Sequence, residues 1–326
     1  MKILIVGLGS IGRRHLRNLA ALGATDIHVL TQGRCSLPND GLPSFQVETD
    51  LDQALSRQPV AVFVCNPTAL HLETAIAAAR RGCHLLLEKP VSHALEGLEE
   101  LEYLVDDLGL KVQVGFQFRF HGVFQQIKKA VAEGAIGQVV SAHAHWSEYL
   151  PAWHPWEDYR KSYSARNDLG GGVLLTLCHP FDYLRWIVGE IEEVQAMTAK
   201  ISSIETDTED AAQVTLRFKN GAIGSVYLDY VGRPAKHCLL ITGTEGRIEW
   251  HDNLGDAKIY RDGGRLFEVI QPGRFFERNE MFLDEVADFL DVIRLDRTPA
   301  CTLEDGIRAL ELVVAAKETR MELAQL

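Results

Sequence analysis

The 326-residue chain has only six cysteines, and no two of them stand in a C-x-x-C spacing. They are scattered at positions 35, 65, 83, 178, 238 and 301. Such spacing argues against a disulfide framework and favours reduced thiols in a cytoplasmic protein.

Positive charge and long apolar runs are also scarce. Basic residues number 33 and acidic residues 45, for a net charge of −12, which argues against nucleic acid or an anionic membrane as partner. No apolar run reaches the length that spans a bilayer. The start, MKILIVGLGSIGRRH, is interrupted by glycines and lacks a small-residue cleavage site, so we expect no signal peptide. With 46% apolar and 24% charged residues, the composition is that of a soluble globular protein.

The first third of the chain alternates short apolar strands with helices. Strands are predicted at 2–6, 27–30, 60–65, 84–87 and 111–115, with helices at 11–22, 68–81 and 94–108. This alternation is typical of an α/β fold with a doubly wound parallel sheet that is covered on both faces.

The pattern changes near residue 115. A helix at 123–133 precedes segments of β character at 191–201, 211–218, 222–230, 237–242 and 246–251. Asn220-Gly221 predicts a hairpin, and Thr302 to Asp305 a helix cap. We predict two domains, 1–118 and 119–326, the second an α/β domain with an open, mainly antiparallel sheet. Two closing helices are predicted at 280–295 and 303–324, and the last is free to pack back on the first domain. Because few helices are evident to cover that sheet, we expect a homodimer or homotetramer.

A glycine turn, Gly7-Leu-Gly9-Ser10-Ile11-Gly12, joins the first strand to the first helix. The first glycine permits the turn, the second lets the backbone approach a pyrophosphate, and the third lets helix pack on strand. In this context the turn predicts a dinucleotide site.

The acid expected at the end of the second strand, for the ribose hydroxyls, is absent. The sequence there reads Leu30-Thr31-Gln32-Gly33-Arg34. Thr31 and Arg34 could hold a 2′-phosphate, which favours NADP slightly over NAD; a solvated loop arginine is the alternative for Arg34.

Two charged residues and a proline, Glu88-Lys89-Pro90, directly follow the three leucines of the fourth predicted strand. With the other motifs in register, the chain resembles the Gfo/Idh/MocA oxidoreductase family. The resemblance is carried by VGLGSIGRRH, CNPTALH, LEKP and LGGGVLLTLCHPFD and covers nearly the whole length. It implies a dinucleotide-binding domain, an NAD(P) cofactor, a sugar, polyol or nucleotide-sugar substrate, and oligomers formed through the open sheet.

The resemblance also implies roles for individual residues. Lys89 would contact the substrate hydroxyl, with a Lys-Pro bond that is commonly cis, and His179 would be the catalytic histidine. Where many relatives carry an aspartate before that histidine, this chain has Leu175 with Thr176 beside it. Predicted cofactor contacts are Gly7, Gly9, Ser10, Ile11, Gly12, Thr31, Arg34, Asn66, Pro67, His71, Glu88, Lys89 and Gln117.

Several residues have two interpretations at this stage. Arg119 would bind substrate or form an interdomain salt bridge, and Asp182 would bind substrate or orient His179. Tyr149, Trp153 and Tyr163 lie in an aromatic and arginine-rich segment that would contact either a sugar or another subunit. His143 and His145 share one face of a strand, but no third ligand is evident, so no metal site is predicted. The stretch FRFH…DYRKSYSARNDLGGGVLL looks most like relatives in surface-sugar or nonulosonate biosynthesis.

Three functions remain open from the sequence. The first is an NAD(P)-dependent sugar dehydrogenase in which His179, an imidazole with an ordinary pKa near 6.5, takes the proton, while protonated Lys89 stabilises charge. The second is a redox-neutral glycosidase or lyase that retains NAD. The third is a dinucleotide-sensing regulator without catalysis.

Overall fold

The computed structural model describes residues 1–31, 41–252, 255–273 and 277–319. The chain forms two compact units that interleave along the sequence. The first contains Met1–Gln117, Asp168–Gly170 and Glu277–Leu310, and the second contains Phe118–Asn167, Gly171–Phe276 and Glu311–Leu326. The functional division after residue 118 stays a prediction.

Fourteen strands and nine α-helices are assigned within the described ranges. The strands are β1 (Ile3–Val6), β2 (Ile27–Leu30), β3 (Gln46–Glu48), β4 (Ala61–Val64), β5 (His84–Leu87), β6 (Val112–Val114), β7 (Val139–Tyr149), β8 (Ile191–Ala199), β9 (Ala211–Phe218), β10 (Ile223–Asp229), β11 (Val231–Gly243), β12 (Gly246–His251), β13 (Ala257–Arg261) and β14 (Arg265–Ile270). The helices are α1 (Ser10–Ala21), α2 (Leu51–Ser56), α3 (His71–Ala79), α4 (Leu98–Asp107), α5 (Gly122–Ala132), α6 (Val173–Thr176), α7 (His179–Val188), α8 (Arg278–Leu295) and α9 (Leu303–Glu318).

The first unit contains a six-stranded parallel sheet in the order β3-β2-β1-β4-β5-β6. The three central strands, β1, β4 and β5, are almost entirely buried, which is why they read as continuous apolar runs. The core includes Phe63 from β4 and Phe289 from α8, whose rings meet edge to face at 5.6 Å. The predicted doubly wound sheet is confirmed.

Two local predictions in this unit were wrong. The short edge strand β3 was not predicted, because three residues carry too little periodicity. Helix α4 begins at Leu98 rather than near residue 94, since Gly97 in front of it has the left-handed φ of 84°.

The second unit contains an eight-stranded sheet in the order β14-β13-β12-β11-β7-β10-β9-β8. All neighbours pair antiparallel except β7 and β10, which are parallel. The predicted mainly antiparallel sheet is confirmed, and the Asn220-Gly221 turn joins β9 to β10 as expected. The β13–β14 hairpin was missed, and β11 begins six residues before its predicted start.

Side chains alternate across this sheet. In β9, Val214, Leu216 and Phe218 are buried, whereas Gln213, Thr215 and Arg217 are exposed. The exposed face of β9 is therefore polar, although Ile223 and Met197 on nearby strands are also exposed.

No helix in the described ranges is long and apolar enough to cross a membrane. The five cysteines in those ranges are free thiols.

Candidate functional site

The glycine turn lies where the sheet order of the first unit reverses. It follows β1, and Cys65-Asn66 follows the adjacent β4, so both loops leave the carboxyl edge of the sheet. Gly7 has a φ of 100°, and a Cβ on it would come within 2.7 Å of the Cys65 carbonyl oxygen. Only glycine fits this contact between the two strand ends.

The other two glycines of the turn differ from each other. A Cβ on Gly12 would overlap the Gly7 carbonyl oxygen, whereas a Cβ on Gly9 would have no neighbour within 4 Å among the described residues. Gly9 is exposed and caps α1, and no side chain in the described ranges caps that helix. The turn thus offers an open approach to helix amides, which fits a dinucleotide pyrophosphate.

Asn66 and Pro67 form a second loop at the same edge. The Asn66 amide donates to Thr74 Oγ1 at 2.8 Å, which fixes the loop on α3. His71 is buried, and its ring nitrogens lie 2.8 Å from the Asn66 and Pro90 carbonyl oxygens. Burial lowers the pKa of His71, although both carbonyls act in the opposite direction. His71 therefore ties the Asn-Pro loop to the Lys89-Pro90 segment; direct contact with a cofactor stays a prediction.

Glu88 and Lys89 follow β5 at this edge. The Glu88 carboxylate is buried against His15 Nε2 at 2.7 Å, while Lys89 is half-buried. The Lys89-Pro90 peptide is cis, as the resemblance implied. Thr31 is half-buried at the end of β2, and its amide donates to the Glu48 carbonyl at 3.1 Å. Arg34 lies outside the described residues. Gln117 has a buried side chain and is the last residue of the segment Met1–Gln117 of the first unit.

In the second unit, His179 is the first residue of α7 and is buried. Its ring stacks on Trp146 with centroids 5.4 Å apart and meets Phe118 edge to face at 5.3 Å. Trp146 also stacks on His237 at 4.1 Å, and the Tyr183 hydroxyl lies 3.1 Å from His237 Nε2. His179 therefore sits in an aromatic setting that the sequence did not reveal.

Arg119 and Asp182 pair with each other inside the second unit. The guanidinium Nη2 lies 2.6 Å from Asp182 Oδ1, and both side chains are buried. Arg119 thus forms an ion pair within the second unit, which differs from the interdomain salt bridge considered from the sequence. A role for either residue in substrate binding stays a prediction.

Thr176 and two of the predicted aromatic residues, Trp153 and Tyr163, lie near the buried Tyr230. The buried Tyr230 hydroxyl donates to the Ser164 carbonyl oxygen at 3.3 Å, Thr176 lies close to it, and Trp153 meets the Tyr230 ring edge to face at 5.6 Å. Burial raises the pKa of Tyr230 well above its ordinary value, and the nearby Tyr163 acts in the same direction. Tyr149 lies apart from this group, under the Arg233 guanidinium at 4.2 Å.

The segment before His179 is held by Glu209. Its carboxylate accepts from the Leu174 amide at 3.2 Å, and a Cβ on Gly172 would overlap that carboxylate. Burial raises the pKa of Glu209. The missing side chain of Gly172 thus leaves room for the Glu209 carboxylate, which binds the first turn of α6.

His143 and His145, the histidine pair in β7, make separate contacts. His143 Nδ1 lies 2.8 Å from Ser225 Oγ, and His145 packs on Tyr227. A different group of ionisable side chains, His15, Glu88 and Glu285, does converge among the described residues. Sequence reasoning missed it because Glu285 lies nearly 200 residues from Glu88.

A doubly wound parallel sheet with a glycine turn at its switch point defines a dinucleotide-binding protein. Comparisons with known proteins make this more specific. Residues 1–116 match the model described as "Oxidoreductase family, NAD-binding Rossmann fold", and residues 124–249 match the GFO/IDH/MocA C-terminal domain.

Relatives and solved structures agree with these matches. Myo-inositol 2-dehydrogenase of Thermotoga maritima is 30% identical over 99% of this chain and 97% of its own. A levoglucosan dehydrogenase in complex with NADH and L-sorbose superposes with a TM-score of 0.85 at 22% identity, over 98% of this chain and 96% of that one. A 2,7-anhydro-N-acetylneuraminate hydratase of Mediterraneibacter gnavus is 29% identical over 65% of this chain and 58% of its own. The chain belongs to the Gfo/Idh/MocA family of oxidoreductases.

Proposed function

We propose that the chain is an NAD(P)-dependent dehydrogenase that transfers a hydride between nicotinamide and a hydroxyl-bearing carbon of a sugar, polyol or nucleotide sugar. The observation that carries this proposal is the alignment of three loops in the first unit. The glycine turn, the Asn66-Pro67 loop and Glu88-Lys89 follow β1, β4 and β5, which are neighbours in the sheet. Parallel neighbours present their carboxyl ends at one edge, so Lys89 follows the same edge as the dinucleotide turn.

The proposed chemistry assigns each residue one task. The dinucleotide, when bound, supplies the hydride acceptor. The ammonium of Lys89 donates a hydrogen bond to the substrate hydroxyl oxygen and stabilises negative charge there. The imidazole of His179 takes the hydroxyl proton as the carbon loses its hydride, so the alcohol becomes a carbonyl and the proton is accounted for.

The setting of His179 supports an orienting role for its neighbours. Stacking on Trp146 restricts the imidazole plane, and Thr176, in the turn before His179, lies close to the buried Tyr230 side chain. We propose that this packing replaces the aspartate that many relatives place before the histidine. Trp153 and Tyr163, near Tyr230, are proposed to contact the sugar.

A panel of sugars, polyols and nucleotide sugars tests the proposal, with reduced cofactor formation followed by absorbance. Lys89→Ala and His179→Ala should each lower kcat by roughly 10²-fold or more. Lys129→Ala and His143→Ala, both at exposed side chains of the second unit, should stay near wild type. Near-wild-type turnover in both active-site variants would contradict the assignment.

A redox-neutral reaction is the second candidate. It is supported by the hydratase relative and by Leu175 in place of a carboxylate before His179. Purified protein that holds stoichiometric NAD through dialysis, and converts a sugar without net change in cofactor absorbance, would favour this function.

A further inference from the structure

Three ionisable side chains from distant parts of the chain meet inside the first unit. His15 comes from α1, Glu88 from the end of β5, and Glu285 from α8. Each offers a nitrogen or oxygen atom, and these atoms all lie within 4.8 Å of one another. All three residues are buried. We call them the His15–Glu88–Glu285 cluster.

The two carboxyl groups of the cluster have different partners. Glu88 Oε1 lies 2.7 Å from His15 Nε2, which can donate its proton to a charged carboxylate. Glu285 is 0% exposed, and neither of its carboxyl oxygens has a hydrogen-bond partner among the described residues. An ionised Glu285 would thus be a buried charge without a donor, close to a second carboxylate.

Like charges at this separation are not both retained in a buried site, so one carboxyl keeps a proton. Because the Glu88 carboxylate contacts His15, whereas neither Glu285 oxygen has a hydrogen-bond partner among the described residues, we place that proton on Glu285. Burial, followed by the charges of Glu88 and Asp288, raises the pKa of Glu285 well above its ordinary value. The 2.7 Å contact between His15 and Glu88 also fits a shared proton better than a metal ion between the two atoms.

The cluster and the glycine turn both lie near Cys65. Cys65 connects the two, because its carbonyl would contact a Cβ on Gly7, and its Cβ lies 3.5 Å from the position of a Cβ on Gly12. Burial raises the pKa of the Cys65 thiol, and the charges of Glu88 and Glu285 add to that increase. A second negative charge in the cluster would therefore act on the turn where a pyrophosphate binds.

Within the described ranges, the other charged groups near the cluster have partners or contacts of their own. The Arg14 guanidinium interacts with the Glu88 charge but stacks on Phe282 at 4.2 Å, with Arg17 and Arg278 near it. Asp288, one turn after Glu285, is paired with Arg297 at 2.6 Å. On the other side, Glu88 and Lys89 act on His71 with opposite signs.

We propose that Glu285 is a positioning residue that works as a neutral carboxylic acid, keeping a second negative charge away from the glycine turn and thereby setting the upper pH limit of dinucleotide binding. This inference rests on the proposed function, because it requires a dinucleotide at the turn. In its neutral form Glu285 adds no second negative charge beside Glu88, the residue that precedes Lys89.

NADH binding, followed by fluorescence between pH 6 and 9, tests the inference. Wild type should lose roughly fivefold or more in affinity as pH rises, because Glu285 ionises. Glu285→Gln, which has nearly the same shape and cannot ionise, should bind as wild type does at pH 6 and lose little at pH 9. Glu280→Gln, at an exposed acid on the same helix, is the matched control and should follow wild type. An equal alkaline loss in Glu285→Gln would overturn the inference.

A cofactor-free measurement separates this inference from the proposed function. The folded-state pKa of Glu285 is raised, so its favourable contribution is complete below the unfolded pKa near 4.5 and is lost as pH rises towards the folded value. The melting temperature of wild type relative to Glu285→Gln should therefore fall between pH 5 and 8. Glu285→Met, also unable to ionise, repeats the comparison if the glutamine variant does not fold.

The remaining outcomes are also decisive. If wild type binds neither NADH nor NADPH at any pH, the proposed function fails, and the melting profile still decides whether Glu285 holds a proton. If the melting temperatures of wild type and both variants change with pH in parallel, the proposal that Glu285 holds a proton is wrong. A stoichiometric divalent metal found by elemental analysis in wild type, and lost in Glu285→Gln, would replace the proton and overturn the inference.

Discussion

Arg119 and Asp182 form a buried ion pair in which one guanidinium meets both carboxylate oxygens. Nε lies 3.2 and 3.1 Å from Oδ1 and Oδ2, and Nη2 lies 2.6 Å from Oδ1. The exposed fractions of the two side chains are 4% and 1%. The pair joins the 3₁₀ turn at Gln117–Phe120 to the first turn of α7, which carries His179.

Asp182→Asn should destabilise the protein by about 3–5 kcal/mol, because it leaves the Arg119 charge buried without its partner. Urea unfolding followed by circular dichroism measures this. Glu193→Gln, in the exposed pair with Arg217, is the control and should change stability by about 1 kcal/mol or less. A double replacement by Arg119→Met and Asp182→Leu should recover much of the loss; a single-variant effect below that of the control would contradict the buried pair.

Gly9→Ala and Gly12→Ala should have opposite consequences. A methyl group at Gly9 meets nothing within 4 Å among the described residues, so stability should stay within about 1 kcal/mol of wild type. It would occupy the approach to the pyrophosphate, so dinucleotide affinity should fall roughly tenfold or more, about 1.4 kcal/mol. Gly12→Ala should instead destabilise the fold, by roughly 1–3 kcal/mol. Thermal unfolding and cofactor titration separate the two, and a Gly9 variant with normal affinity would count against the turn as the binding site.

His121 should make the protein sensitive to mild acid. Burial lowers the pKa of His121 to about 4, below the ordinary value of 6.5. The unfolded chain therefore binds this proton first, and stability that is complete above pH 6.5 is lost as pH falls towards 4, by about 3 kcal/mol at most. His121 also caps α5, accepting from the Val123 amide at 3.2 Å, a contact that asparagine can reproduce. Urea unfolding between pH 4 and 7 should show a shallower decline for His121→Asn, and identical slopes would contradict the assignment.

NADP should bind at least as well as NAD, because no acid follows β2 at Thr31. Calorimetric titration of both oxidised cofactors into wild type and Arg34→Ala measures this, with the arginine variant expected to lose affinity for NADP alone. The NADP affinity of Thr31→Ala gives an independent test, at a residue that the structure describes. A tenfold preference of wild type for NAD would refute the prediction.

Self-association through the exposed face of the second sheet remains a prediction. Ile223 is 59% exposed at the start of β10, and Met197 is exposed in β8. Light scattering at micromolar concentration should give a dimer or tetramer, and Ile223→Asp should shift it towards monomer. Leu295→Asp, at an exposed apolar position in the first unit, is the control. A wild-type monomer mass would refute the prediction.

Motifs that combine local spacing with strand context could be predicted from sequence. The glycine turn, Asn66-Pro67 and Glu88-Lys89 each follow an apolar strand, and their common edge follows from parallel topology. The Thr302–Asp305 cap was likewise predicted, and its amides and side chains bond reciprocally at 3.1 Å.

Relationships between distant segments could not be predicted in this way. Glu285 meets His15 only because α8 packs against α1 within the first unit, and no periodicity in either segment predicts that contact. The stacking of His179 on Trp146 depends on the register of β7 against its neighbours, which single strands do not specify. The engagement of Asp182 by Arg119 depends in the same way on tertiary packing.

The return of α8 to the first unit has a consequence during protein synthesis. Val286, Phe289 and Leu290 belong to the same core as Ile3 and Phe63, so residues synthesised long after the parallel sheet complete the first folded unit. At roughly 5–20 residues per second, the ribosome needs on the order of 10–30 s to move from residue 118 to residue 277. During that interval the nascent parallel sheet would display an uncovered apolar face, which is the kind of surface that chaperones bind.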